Sequence, residues 1–156
     1  MRRFWTSAFA AFAVDQLSKV IVVHWLDLKT ILAMDPFPPY LRFRMGWNEG
    51  INFGLFSGAE ARWFLVALAV GVSLLLWRWA LKFQRPISFV AAGFIVGGAL
   101  ANALDRVIYG AVADFLNMSC CGIDNPFAFN VADVFIFAGA FALVIWSEDS
   151  KAAKTP

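Results

Sequence analysis

Histidine occurs once in this chain, as His24, and cysteine only as the adjacent pair Cys120 and Cys121. A Ser-His-Asp or Cys-His mechanism would have to pass through a histidine followed by Trp25 and Leu26, so His24 is read as a residue of a membrane-water interface. Vicinal cysteines suit neither an ordinary disulfide nor the C-x-x-C ligand spacing of zinc sites, and no metal or other cofactor is expected. Charge is also scarce: Asp, Glu, Lys and Arg make up 15% of the residues, with a formal net charge of +2. The basic residues are scattered or terminal, which removes the clustered footprint of a nucleic-acid binder.

Apolar side chains dominate, at 61% of 156 residues, where soluble domains hold about one half. Such a chain belongs in a bilayer, and its length supplies roughly four spans of about 20 residues. The expected fold is an all-α integral membrane bundle of four transmembrane helices in one domain covering 1–156, with a small external β-hairpin or sheet between helices one and two. The spans fall at 4–26, 61–81, 87–109 and 127–146, and the external segments at 27–60 and 110–126. Ala11-Phe12-Ala13 imitates the cleavage site of a secretory leader, yet apolar residues continue past it through Val23 to Leu26, so the first run is read as a span. The tail from Ser150 to Pro156 reads as solvated.

Arg2, Arg3, Arg78, Lys82, Arg85, Lys151 and Lys154 share one side of such a bundle, which assigns both termini to the cytoplasm. Lys29, Arg42, Arg44 and Arg62 weigh against this choice, whereas the second external segment carries neither Lys nor Arg. Leu41 to Trp47 alternate in the period-2 pattern of a strand. A turn at Asn48-Glu49-Gly50 would return the chain along 51–56.

Ionisable residues inside spans are costly and mark paired or functional positions. Asp15 and Lys19, four apart, can form an ion pair near mid-membrane. In the third span, Asn102 and Asp105 share a helical face after the small residues Gly97-Gly98-Ala99, and Arg106 can neutralise a nearby carboxylate. In the fourth, Asn130 and Asp133 repeat the N-x-x-D spacing. The helical rise puts Asp105 about 6 Å and Asp133 about 9 Å below the external surface. Asp114, flanked by apolar residues, is expected to fold back against the bundle. Two carboxylates in a partly dry site share a proton and so supply an acid and a base for hydrolysing a peptide with water. Arg106 beside Asp105 favours Asp114 with Asp133 as that pair, while a small proton-coupled transporter or channel would also account for intramembrane carboxylates.

Five motifs in order resemble the lipoprotein signal peptidase family, signal peptidase II, along nearly the whole chain. They are Asp15-Gln16-x-x-Lys19, Asn48-x-Gly50-x-Asn52-Phe53-Gly54, Gly97-Gly98-Ala99-x-x-Asn102-x-x-Asp105-Arg106, Val112-x-Asp114-Phe115 and Phe129-Asn130-x-Ala132-Asp133. The resemblance implies an aspartyl endopeptidase of the bacterial inner membrane that cuts diacylglyceryl-modified prolipoproteins on the N-terminal side of the lipidated cysteine. It further implies Asp114 and Asp133 as the catalytic pair, with Asn48, Gly50, Asn102, Asp105, Arg106 and Asn130 binding substrate or supporting the site. Asp15 and Lys19 would be structural. Membrane lipids as surroundings, sensitivity to globomycin-type cyclic peptides and a monomeric state belong to the same expectation. Ala101, where glycine is usual, and Asn52, where a small residue is common, depart from the family pattern.

Overall fold

The computed structural model describes residues 1–50, 59–122 and 125–146. Helix α1 (Arg2–Lys19) runs into a π-helical turn, Val20–Trp25, and is followed by the short α2 (Leu28–Ile31). Strands β1 (Ala33–Phe37) and β2 (Leu41–Asn48) precede helices α3 (Ala59–Ala80) and α4 (Pro86–Tyr109). Strand β3 (Val112–Asn117) and helix α5 (Val131–Trp146) complete the order. Among the described residues three helical stretches are long and apolar enough to cross a membrane: Arg2–Trp25, Ala61–Ala80 and Pro86–Tyr109. Helix α5 is apolar too, but has 16 residues.

The exposed surface of the helices is apolar. Leu75 is 69% exposed, Phe137 76% and Val144 79%, a distribution that in water would invite aggregation and that lipid satisfies. The protein is therefore a multi-pass membrane protein. Its inner packing centres on α4, which lies against α1, α3 and α5. Lipid tails are as apolar as side chains, so close backbone approach replaces hydrophobic drive between membrane helices. A Cβ on Gly97 would stand 2.9 Å from Ala11 Cβ on α1, and one on the neighbouring Gly98 would stand 2.6 Å from the Ala132 carbonyl oxygen on α5. The two glycines thus admit a helix on each side of α4.

The expected small sheet is present, with three strands. Its order is β1-β2-β3, antiparallel throughout, so β2 pairs with a preceding strand and with one from the second external segment. Asn48 lies opposite Val112, and Gly46 opposite Asp114. The return expected along 51–56, Asn52 with it, lies outside the described residues, as does the tail. Alternation along β2 signalled a strand but carried no information about its partner. Beneath the sheet Ala113 and Phe115 pack on Val22, Val23 and Leu28, so the π-helical turn and β3 share one apolar cluster.

Within the fourth expected span, 127–146, the helix itself begins at Val131. Before it, Phe129 exchanges backbone hydrogen bonds with Leu116 in an isolated bridge beside β3.

Replacing Gly98 with leucine should destabilise the fold by about 1–3 kcal/mol through overpacking between α4 and α5. Thermal unfolding in detergent, with Gly71→Leu as the control because a Cβ at Gly71 meets nothing within 4 Å, measures the difference. Equal melting temperatures for the two variants would mean that the helices part there without cost.

Candidate active site

Buried charge at one end of the helices organises the site. Lys19, on the last turn of α1, holds its Nζ 2.7 Å from Asp15 Oδ2 and 2.6 Å from Asp105 Oδ2 on α4, and donates to Asn102 Oδ1 at 3.2 Å. Asp15 and Asp105 are fully buried and Lys19 nearly so. One expectation is met here and one changes. The expected Asp15–Lys19 pair is formed, and it lies level with the last turns of α4 and the start of α5. The cation bound to Asp105 is Lys19 rather than its neighbour Arg106, which donates to the Asn102 carbonyl at 3.3 Å. A residue one step along a helix points about 100° away, so adjacency in sequence is a poor guide to pairing. Arg106 remains close enough for the charges of Asp114, Asp105 and Asp133 to act on it, and its Nε has no hydrogen-bond partner among the described residues.

Gln16 has a connecting role that the sequence reading left unassigned. Its Nε2 donates to Asp105 Oδ1 at 2.9 Å, to Asp15 Oδ2 at 3.2 Å and to the Ala101 carbonyl at 3.3 Å, which joins α1 to α4. Its position beside Asp15, three residues before Lys19, was the available signal. Ala101 is itself fully buried at that joint.

The start of α5 is where reading and structure diverge most usefully. Asn130 and Asp133 do not share a helical face, because Asn130 precedes the helix. Its Oδ1 accepts the Asp133 N–H at 3.0 Å while its own N–H donates to Asp133 Oδ2 at 3.2 Å, the reciprocal bonding of a capping box. Asp133 therefore sits in the first turn of α5. Asp15 Oδ1 takes the intervening Ala132 N–H at 2.8 Å. Asn102 Nδ2 donates to Asp133 Oδ1 at 3.0 Å.

Asp114, buried on β3, receives Asn130 Nδ2 on Oδ1 at 2.6 Å and Asn48 Nδ2 on Oδ2 at 3.1 Å. Asn48 is held in turn by the Gly50 N–H, which donates to its Oδ1 at 3.0 Å. Burial pushes the Asp114 carboxyl above the usual carboxylate range; the charge of Asp133 acts in the same direction, while the two amides and Lys19 pull against it. The residues singled out in the sequence thus form one continuous hydrogen-bonded chain running from Asp15 and Asp105 through Lys19, Asn102, Asp133, Asn130, Asp114 and Asn48 to Gly50. Arg106 joins it through the Asn102 carbonyl. Beside Asp133 an open groove of about 520 Å³ is walled by Phe129, Val134, Phe137 and Ala138. His24 bonds the Tyr109 hydroxyl at 3.1 Å, and Cys120 and Cys121 are exposed and free.

With this geometry in place, comparison with known proteins identifies the class. The family model described as Signal peptidase (SPase) II matches residues 7–148, and the chain belongs to that family, whose members are proteases. A lipoprotein signal peptidase of Methylorubrum extorquens (strain PA1) is 40% identical over 141 residues, covering 87% of this chain and 80% of the relative. One from Alteromonas mediterranea is 38% identical over 149 residues, covering 93% and 79%. A bacterial membrane enzyme solved by the in meso method at 1.9 Å resolution superposes with a TM-score of 0.76 at 26% identity, covering 90% of this chain and 88% of that one. Family membership sets aside the transporter reading.

Asn130→Ala removes the α5 cap and the shorter of the two amide bonds to Asp114 together. An N-cap alone contributes about 0.5–2 kcal/mol, so the variant should melt measurably below the parent in detergent. Parent-like stability would show that the start of α5 is held from elsewhere.

Proposed function

We propose that this chain is an intramembrane aspartyl endopeptidase that removes signal peptides from diacylglyceryl-modified prolipoproteins, cutting on the N-terminal side of the lipidated cysteine, with Asp114 and Asp133 as its catalytic pair. The observation that carries the reading is Asn130, whose Nδ2 donates to the Asp114 carboxylate while its Oδ1 accepts the backbone N–H of Asp133. A water between the carboxylates attacks the scissile carbonyl carbon. Asp133 takes the water's proton while Asp114, whose carboxyl burial shifts above the ordinary carboxylate range, gives its proton to the carbonyl oxygen. As the resulting gem-diol collapses, Asp133 passes its proton to the leaving nitrogen and Asp114 takes one back from the gem-diol hydroxyl as the carbonyl re-forms. Asn48, Gly50, Asn102, Asp105, Arg106 and Asn130 bind the extended substrate backbone or hold the pair, for which amides serve as both donors and acceptors. The apolar groove beside Asp133 suits a substrate that arrives laterally from lipid with acyl chains attached.

All four apolar helices span the bacterial inner membrane, α5 with the residues that flank it; both termini face the cytoplasm and the site lies near the external face, as the distribution of Lys and Arg supports. The protein acts as a monomer, and a globomycin-type cyclic peptide competes for the same groove.

Purified protein incubated with a synthetic diacylated precursor should release the signal peptide, read as a gel shift. Asp114→Asn and Asp133→Asn should each stay folded and lose about 10²- to 10⁴-fold in kcat; parent-like cleavage by either variant would sink the assignment. The pH-rate profile should be bell-shaped. Its alkaline limb falls as pH rises through the raised pKa of Asp114 and the acid is lost, and the apparent values belong to the pair.

A further inference from the structure

The residues that precede the two aspartates are held in the same way. The Ala113 N–H, immediately before Asp114, donates to Asp105 Oδ2 at 3.2 Å, and the Ala132 N–H, immediately before Asp133, donates to Asp15 Oδ1 at 2.8 Å. The two clamping carboxylates come from different helices, α4 and α1, and no covalent feature sets the distance between them. Lys19 does, with one nitrogen 2.6 Å from the first and 2.7 Å from the second. The same nitrogen donates to Asn102 Oδ1, which leaves the Asn102 amide NH₂ directed at Asp133 Oδ1.

We propose that Lys19 is a positioning residue for catalysis: by joining Asp15, Asp105 and Asn102 it sets the spacing of the backbone segments that carry Asp114 and Asp133 and turns the Asp133 carboxylate toward its partner. This rests on the assignment of those two aspartates as the catalytic pair. Neutralising two buried carboxylates would require only a cation near both. The third bond, to an amide that itself holds Asp133, has no part in charge neutralisation and ties the ammonium to the orientation of the reacting group. All three ammonium donors converge from a single point onto three acceptors, an arrangement the planar fork of a guanidinium cannot reproduce.

Lys19→Arg separates the two roles because it keeps the charge and alters the geometry. Displacing a catalytic group by about 1 Å costs up to about 10²-fold in rate, so the folded variant should lose about 10- to 100-fold in kcat. Its KM for the diacylated precursor should stay within about threefold, since positioning acts on the chemical step more than on substrate binding. Its melting temperature in detergent should lie near the parent's, whereas Lys19→Met, which leaves the carboxylates without a cation, should melt far lower. A folded Lys19→Arg with parent-like kcat would overturn the proposal, leaving Lys19 as a counter-ion only. Failure of Lys19→Arg to fold would also count against it, since the demand at this position would then be one of packing. Asp114→Asn and Asp133→Asn, run in the same assay, report separately on the catalytic pair: parent-like cleavage by either sinks that assignment whatever the Lys19 variants do.

Discussion

An ammonium shut away from water must have each of its protons bonded, and Lys19 meets that demand with acceptors from two helices at once. The free-energy cost of leaving any of these charges alone in an apolar surrounding is several kcal/mol, so α1 and α4 have one register in which all are satisfied. Apolar packing is less exacting. Leu, Val and Phe faces can slide by a turn and still touch, and in lipid they gain little from touching. The close approaches at Gly97 and Gly98 limit how far the helices separate, and the polar cluster decides how they align along their length.

That alignment passes from the helices to the sheet. Asp105 grips the chain just after α4 ends, at Ala113, so β3 leaves the bundle at a determined height. Pairing β3 with β2 then brings Asn48 onto Asp114, although the two are far apart in sequence and belong to different connecting segments. Ala113 and Phe115, on the other face of the same strand, close over Val22 and Val23 of the π-helical turn. Strand alternation sends polar side chains toward the site and apolar ones into a small core, and this explains how a carboxyl can be buried on a strand outside the helices.

Much of the arrangement was legible in the residues themselves. Low charge and long apolar runs marked the helices, and ionisable residues within those runs marked the site, because lipid tolerates so few of them. What remained illegible had physical reasons. The alternation of Leu41 to Trp47 identifies a strand, but the neighbour it takes depends on contacts distant in sequence, so β1 and β3 went unseen. Arg106 looked like the cation for Asp105 because it is adjacent, yet Lys19, on another helix, faces that carboxylate. Gln16 carries no charge to draw notice, and its role exists only where α1 meets α4.

The N-x-x-D spacing shows how the same four-residue signal changes meaning with backbone context. Within α4 it places Asn102 and Asp105 along one side of a helix. At the start of α5 the preceding residue, Phe129, is committed to β3 by its backbone hydrogen bonds, so Asn130 cannot be helical and becomes the cap. Ser, Asp and Asn are ordinarily near-equivalent caps, since each offers an oxygen to the first turn. Here the oxygen is only half of the requirement. An aspartate in place of Asn130 would still cap the Asp133 N–H but, when ionised, would bring a further negative charge beside Asp114 with no proton to donate. A serine would have one hydroxyl on a shorter stem. Asparagine caps with Oδ1 and donates with Nδ2, so the group that starts the helix also bridges the two aspartates. The choice of amide at position 130 thus follows from the chemistry of the site, whereas helix propensity alone would have left it open.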